Sequence, residues 1–145
     1  MKDIHSDSKR VVAIGAAVLA ADNTPTAIDR RGFDAAEILL DIGVGGITFS
    51  GTNKIEFVLT HSDDDVTYDA VAAADILGGS VATGGIIKAL TAAHAAAAVY
   101  RFGYKGGRRY LKLLADFSGT HGTGTPIAAS VLLAHGHDNP QSAQA

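Results

Sequence analysis

The chain has 145 residues, of which 47% are hydrophobic, 19% charged and 6% aromatic, and 12 Lys+Arg against 15 Asp+Glu give a net charge of −3. The absence of cysteine excludes disulfides, thiolate zinc sites, iron–sulfur clusters and cysteine nucleophiles. A chain of this length buries roughly 70% of its unfolded surface, enough for one core held by packing alone. No run reaches the roughly 18 apolar residues of a membrane span. Residues 1–10 lack the apolar block of a signal peptide, and the slightly acidic balance is a poor match to nucleic acid. Neither a membrane nor a nucleic acid is expected as a partner, and synthesis is expected in the cytoplasm.

Apolar residues alternate with period two more often than they recur at helical spacing, which predicts an all-β sandwich in one domain. Residues 1–9 read as an N-terminal arm, 10–137 as the sandwich, and 138–145 as a polar, flexible tail. The first stretch, 11–19, is apolar on both faces, as is 127–134 near the other end; such strands are either covered on both sides or meet another subunit. In 37–42, Ile38, Leu40 and Ile42 share one face, opposite Glu37, Leu39 and Asp41, which predicts a strand with one buried side. Residues 54–61 repeat the pattern with Ile55, Phe57 and Leu59 inward. Ser62, Asp63, Asp64 and Asp65 supply turn chemistry, and 66–71 is expected to return as the partner strand. A short turn is expected over 75–79. Gly84 and Gly85, followed by β-branched Ile86 and Ile87, start a strand over 86–90, and the Ala-rich 91–98 reads as a loop or helical turn. Over 99–117, Gly106-Gly107 is expected to form a two-residue hairpin loop with positive φ. That register sets Phe102 opposite Leu111 and Tyr100 opposite Leu113, and places Tyr100, Phe102, Leu111, Leu113, Ala115 and Phe117 in the core.

Candidate chemistry is sparse. His135-Gly136-His137 sets two imidazoles near a strand end, and His121 in a Gly-rich loop could add a third. No acidic residue stands at ligand spacing, so solvated or capping roles are expected, and no metal or other cofactor. His5, His61 and His94 read as structural or exposed. Asp63, Asp64, Asp65 and Asp69 lack the order of a calcium loop and read as a solvated turn. The stretch 119–125 has the glycines of a phosphate cradle without its Gly-Lys-Ser/Thr ending, and reads as a long mobile hairpin loop. The mix of Arg101, Lys105, Arg108 and Arg109 with Tyr100, Phe102, Tyr104 and Tyr110 resembles a nucleic-acid platform, but period two turns Tyr100 and Phe102 inward. No nucleophile motif is present, and no catalytic residue is expected.

Several of these segments resemble, in the same order, a group of small proteins encoded beside the major capsid gene of tailed bacteriophages and prophages. The residues concerned are Ile28-Asp29-Arg30-Arg31-Gly32-Phe33 with the strand 35–42, then Leu59-Thr60-His61-Ser62-Asp63-Asp64, then Phe102-Gly103-Tyr104-Lys105-Gly106 with Arg109-Tyr110-Leu111, and the ending 128–137. Where such relatives tend to have Gly after the paired Asp, this chain has Asp65. The resemblance implies a virion structural protein, a head decoration or cement protein with a jelly-roll-like β-sandwich of about eight strands. Its expected partner is the major capsid protein on the outer surface of the head, assembled in the host cytoplasm, and it carries no enzymatic residues. A head-fibre or tail component that binds a receptor or glycan is the alternative within phage biology; a metal- or sugar-binding enzyme is the alternative outside it. Surplus apolar surface on the first and last strands suggests a homo-oligomer, with Val12, Ala16, Val18, Ala128, Ser130 and Leu132 as its candidate oligomer or capsid interface. A trimer is expected by analogy with decoration proteins at local threefold points of a lattice.

Overall fold

The computed structural model describes residues 3–142. Ten strands follow one another: β1 (Ser8–Leu19), β2 (Ile28–Asp29), β3 (Phe33–Ile42), β4 (Lys54–Ser62), β5 (Asp69–Ala70), β6 (Ile76–Leu77), β7 (Ile86–Leu90), β8 (Ala98–Tyr104), β9 (Tyr110–Ser118) and β10 (Thr125–Gly136). Among the described residues there is no α-helix; a single 3-10 turn spans Ala73–Asp75. One sheet runs β1-β10-β3-β8-β6, and the other runs β2-β9-β4-β5 with β7 also paired to β4. All pairings are antiparallel.

This is a jelly roll. Stripped of the two-residue strands β5 and β6, the sheets are β1-β10-β3-β8 and β2-β9-β4-β7. Every connection then crosses from one sheet to the other except β4 to β7. The number matches the roughly eight strands expected, but the set differs: period two does not mark β2, and the strand expected over 66–71 forms only as the two-residue β5.

Period two explains the core. Ile38, Leu40 and Ile42 of β3 face Ile55, Phe57 and Leu59 of β4, and all six are 0–1% exposed. Leu111, Leu113 and Ala115 of β9 and Ile127, Ala129, Val131 and Leu133 of β10 complete the two inner faces. Ile86–Leu90 is a strand as expected, and 91–97 is a loop without a helical turn. The expected partner strand over 66–71 is reduced to Asp69–Ala70, because Ser62 and Asp64 first wrap the chain into a polar turn. The Asp64 carboxylate accepts the backbone N–H groups of Val66 and Thr67 and the Ser62 hydroxyl. Those bonds favour its charged form and lower its pKa to about 2.

The Gly106-Gly107 hairpin is not formed. β8 pairs with β3 and β6 in one sheet, β9 pairs with β2 and β4 in the other, and 105–109 carries the chain across the sandwich. Neither glycine has a positive φ. The inward side of each strand is the expected one, since Phe102, Leu111, Leu113 and Ala115 are buried and Tyr100 and Phe117 pack partly buried against them. The partner assignment failed because two amphipathic strands with a short link satisfy burial equally well face to face across a core as side by side in a ladder. Arg30 fixes the crossing: its guanidinium donates to the carbonyls of Arg108 (3.0 and 2.8 Å) and Gly106 (3.1 Å) and lies over the Tyr104 ring, 4.7 Å from its centroid.

The stretch 119–125 is likewise a crossing, from β9 to β10, and is folded against the sandwich. His121 is buried with its Nε2–H donating to the Ser118 carbonyl at 2.8 Å, its ring edge-on to Phe117 at 4.7 Å. Gly124 has φ 88°, and a Cβ there would stand 2.6 Å from the Leu19 carbonyl oxygen. At the chain ends, Ser8 and Lys9 of the expected arm belong to β1. The described part of the expected tail is bonded to the arm: Gln141 N–H donates to the Ser6 carbonyl at 2.9 Å, and the Asn139 side-chain amide donates to Asp7 at 3.1 Å. Met1, Lys2 and residues 143–145 lie outside the described residues.

Candidate functional site: an apolar sheet face and its groove

The strands that read as apolar on both faces are not covered on both sides. β1 is the edge of its sheet and β10 is next to it, with one side of each turned away from the core. Along β10, Thr125, Ile127, Ala129, Val131 and Leu133 are buried while Pro126, Ala128, Ser130, Leu132 and Ala134 look outward. The register then assigns the neighbours: Val12 pairs with Ser130, Arg10 with Leu132 and Val18 with Pro126 on one side. On the other, Asp41 pairs with Ala128, Leu39 with Ser130 and Glu37 with Leu132, and Arg101 and Val99 follow beside Leu39 and Asp41 on β8. The six residues singled out from sequence, Val12, Ala16, Val18, Ala128, Ser130 and Leu132, therefore occur together on one outer face.

That face is more apolar than a solvated sheet surface needs to be. Val12 is 64% exposed, Val18 61% and Val99 61%, with Leu39 and Leu132 half-buried between them. Its charges balance: Arg101 meets Glu37 at 3.5 Å, Arg10 stands beside Leu132, and Asp41 stands nearer the end where β1 finishes. Sequence placed Leu39 and Asp41 on the outward side of their strand. It did not bring Val99 or Pro126 to the same surface, since that depends on the order of strands in the sheet.

At this end the face sinks into a groove of about 480 Å³, lined by Ala16 and Val18 of β1, Pro126 and Ala128 of β10, Asp41 of β3 and Val99 of β8. The groove is a product of small side chains and of irregular pairing. β1 carries register shifts between Val12 and Ile14 and again between Ile14 and Ala17, so Gly15 and Ala16 together oppose Ala128 and leave no large side chain to fill the surface.

The polar groups elsewhere serve the fold. His61 is 7% exposed, and its Nδ1 lies 2.8 Å from the Tyr104 hydroxyl. Burial, together with the Arg108 charge, pushes the His61 pKa down and favours the neutral ring beside the phenol, whose oxygen accepts the Arg108 backbone N–H at 3.3 Å. Burial also raises the Tyr104 pKa. His94 bonds the Gly43 carbonyl and the Tyr100 hydroxyl. His135 and His137 do not act as a pair: His135 has φ 56° and faces Asp7 at 3.6 Å, whereas His137 meets Asp34 at 2.7 Å. His121 is buried in a different loop, and its Nδ1 has no hydrogen-bond partner. Among the described residues no three His, Asp or Glu side chains gather closely enough to hold a metal ion. The Asp63-Asp64-Asp65 turn is spent on backbone capping and on ion pairs from Arg108 to Asp63 and Asp69. No helix among the described residues is long and apolar enough to cross a membrane.

The chemistry this arrangement supports is contact: a broad apolar surface, weakly charged, on a rigid sheet. No family model matches the chain, and no curated protein and no solved structure is significantly similar to it.

Proposed function

We propose that the chain is a structural protein of a tailed-phage virion, a decoration or cement protein that binds the major capsid protein on the outside of the head and stabilises the shell. The observation that carries this reading is the outer face of the β1-β10-β3-β8 sheet, where Val12, Val18 and Val99 stand mostly exposed among Leu39, Ala128 and Leu132. Contiguous apolar surface of this kind marks a protein–protein contact. The resemblance of the motifs around Asp29, Asp63 and Tyr104 to capsid-adjacent phage proteins supplies the class of partner. A net charge of −3 suits the outer surface better than the DNA-lined interior. Many copies on a repeating lattice turn a weak single contact into stable occupancy.

The test is direct. Purified protein mixed with tailed-phage heads assembled from the major capsid protein of the same genome should appear as density on the outer surface and raise the temperature at which the heads rupture. Substituting Val99→Lys together with Val18→Lys should reduce occupancy by roughly tenfold or more while the thermal midpoint of the isolated protein changes little, since both stand mostly exposed on the outer face. Heads that remain bare at saturating protein would refute the proposal.

A further inference from the structure

We infer that the free edge of β1 is a strand-pairing site for β1 of a second copy of this chain, joined antiparallel about a twofold axis at Ile14. The edges of the two sheets are finished differently. On β9, whose neighbour β2 covers only Tyr110 and Leu111, the remaining edge is closed by side chains from the loop before β2. Asn23 donates to the Leu113 carbonyl at 3.2 Å and accepts the Ala115 N–H at 2.7 Å, and Asp22 accepts the Phe117 N–H at 2.7 Å. These amide and carboxylate groups imitate a missing strand. β7 is another edge, but it is five residues long and holds Lys88 at its centre, and β8 beyond its two residues paired with β6 leaves only five, with Arg101 among them, features that discourage strand addition. β1 has neither protection. It is twelve residues long, pairs with β10 alone among the described residues, and from Val11 to Leu19 carries no charge, no proline and no capping side chain.

A second β1 is what suits this edge, because the strand is complementary to itself when reversed. Pairing about Ile14 sets Val12 opposite Ala16, Arg10 opposite Val18, and Val11 opposite Ala17. Each pair keeps to one side of the sheet: Val12 and Arg10 pair with the outward Ser130 and Leu132, and Val18 with the outward Pro126, while Val11 and Ala17 pair with the inward Val131 and Ile127. A register one residue different would mix the two faces. The irregularities also fit, since the register shifts of β1 lie on either side of Ile14 and leave one regular run at each end to meet the opposite run of the partner. No like charges oppose across the pairing, since Lys9 and Arg10 of one copy meet the apolar Leu19 and Val18 of the other. The two five-stranded sheets would become one continuous sheet whose outer faces adjoin. The pairing rests on the fold rather than on the proposed capsid contact, and it replaces the threefold state implied by the resemblance with a twofold one.

The experiment measures mass and register in solution, with no head present. Light scattering or sedimentation of the full chain should give the mass of two chains at high concentration, and amide exchange across 9–18 should slow as concentration rises. Val12→Glu with Ala16→Glu places like charges opposite each other twice per dimer and should weaken association by roughly tenfold or more. Val12→Glu with Ala16→Lys should restore it to within a few-fold of the parent, because cross-strand opposite charges attract. Circular dichroism of both variants checks that they fold, and the parent's mass and exchange stand without them. A single-chain mass at about 100 μM, well above the range of specific dimers, would overturn the inference, as would a three-chain mass or equal association of the two variants. None of these results touches the binding of heads, whose failure would instead remove the proposed function.

Discussion

Glycines that look alike in the sequence differ sharply once their surroundings are known. A Cβ at Gly107 would meet nothing within 4 Å, while one at Gly124 would press on the Leu19 carbonyl at a φ of 88°. Gly107→Ala should therefore change stability by less than about 0.5 kcal/mol, whereas Gly124→Ala should cost about 2 kcal/mol or more, read from denaturant midpoints. A second prediction concerns His137 and Asp34, an exposed pair 2.7 Å apart. The hydrogen bond from His137 and its charge pull the Asp34 carboxyl below its ordinary value of 3.8. Asp34 in turn raises the His137 imidazole above 6.5. A raised base contributes fully below its unfolded pKa and loses the contribution as pH rises through its folded one; a lowered acid contributes above its unfolded pKa and loses it as pH falls. The stability difference between the parent and His137→Asn should then be greatest between the ordinary carboxyl and imidazole values of 3.8 and 6.5, and should fall away as pH rises through the raised imidazole pKa. It should be small and reduced by salt, since both groups are exposed. Thermal midpoints across that range, together with titration of the His137 ring, measure it.

At the scale of elements, the sequence showed which side of each strand is buried far better than which strands are neighbours. Ile38, Leu40, Ile55 and Phe57 could be assigned inward from alternation alone, because period two is a local property of the chain. The link 105–109 could not, because a glycine pair permits a tight turn without requiring one, and what decides is Arg30, some 76 to 78 positions away, bonding the carbonyls of Gly106 and Arg108. The outer face was half legible for the same reason. Its residues on β1, β3 and β10 were readable as outward, but their assembly into one surface with Val99 depends on strand order. The Asn23 edge closure left no sequence signal beyond a polar loop. Its effect is testable: Asn23→Ala removes two hydrogen bonds that span half-buried backbone groups of β9. It should lower stability by about 1–2 kcal/mol, with greater aggregation on heating as the β9 edge becomes available for pairing.

At the scale of the whole molecule, the sandwich presents one closed and one open flank. The polar investment lies on the side of Asp22, Asn23, Asp29, Arg30 and Arg109, where Asp29 takes the Arg109 guanidinium through two bonds of 2.8 and 2.7 Å. The flank built from β1 and β10 spends almost no polar chemistry and keeps its apolar side chains outward. Such asymmetry is what a protein needs if it is to hold its own fold while remaining ready to join others. The position of β10 has a consequence for synthesis as well. The last strand lies between the first and the third, so β1 has no partner in its sheet until residues 125–136 have left the ribosome. Until then the apolar stretch 11–19 waits without its neighbour in an unfinished sheet, and the sheet closes only when β10 arrives. Chains cut short before β10 would expose that stretch permanently, and their fate should be aggregation or degradation rather than a smaller stable domain.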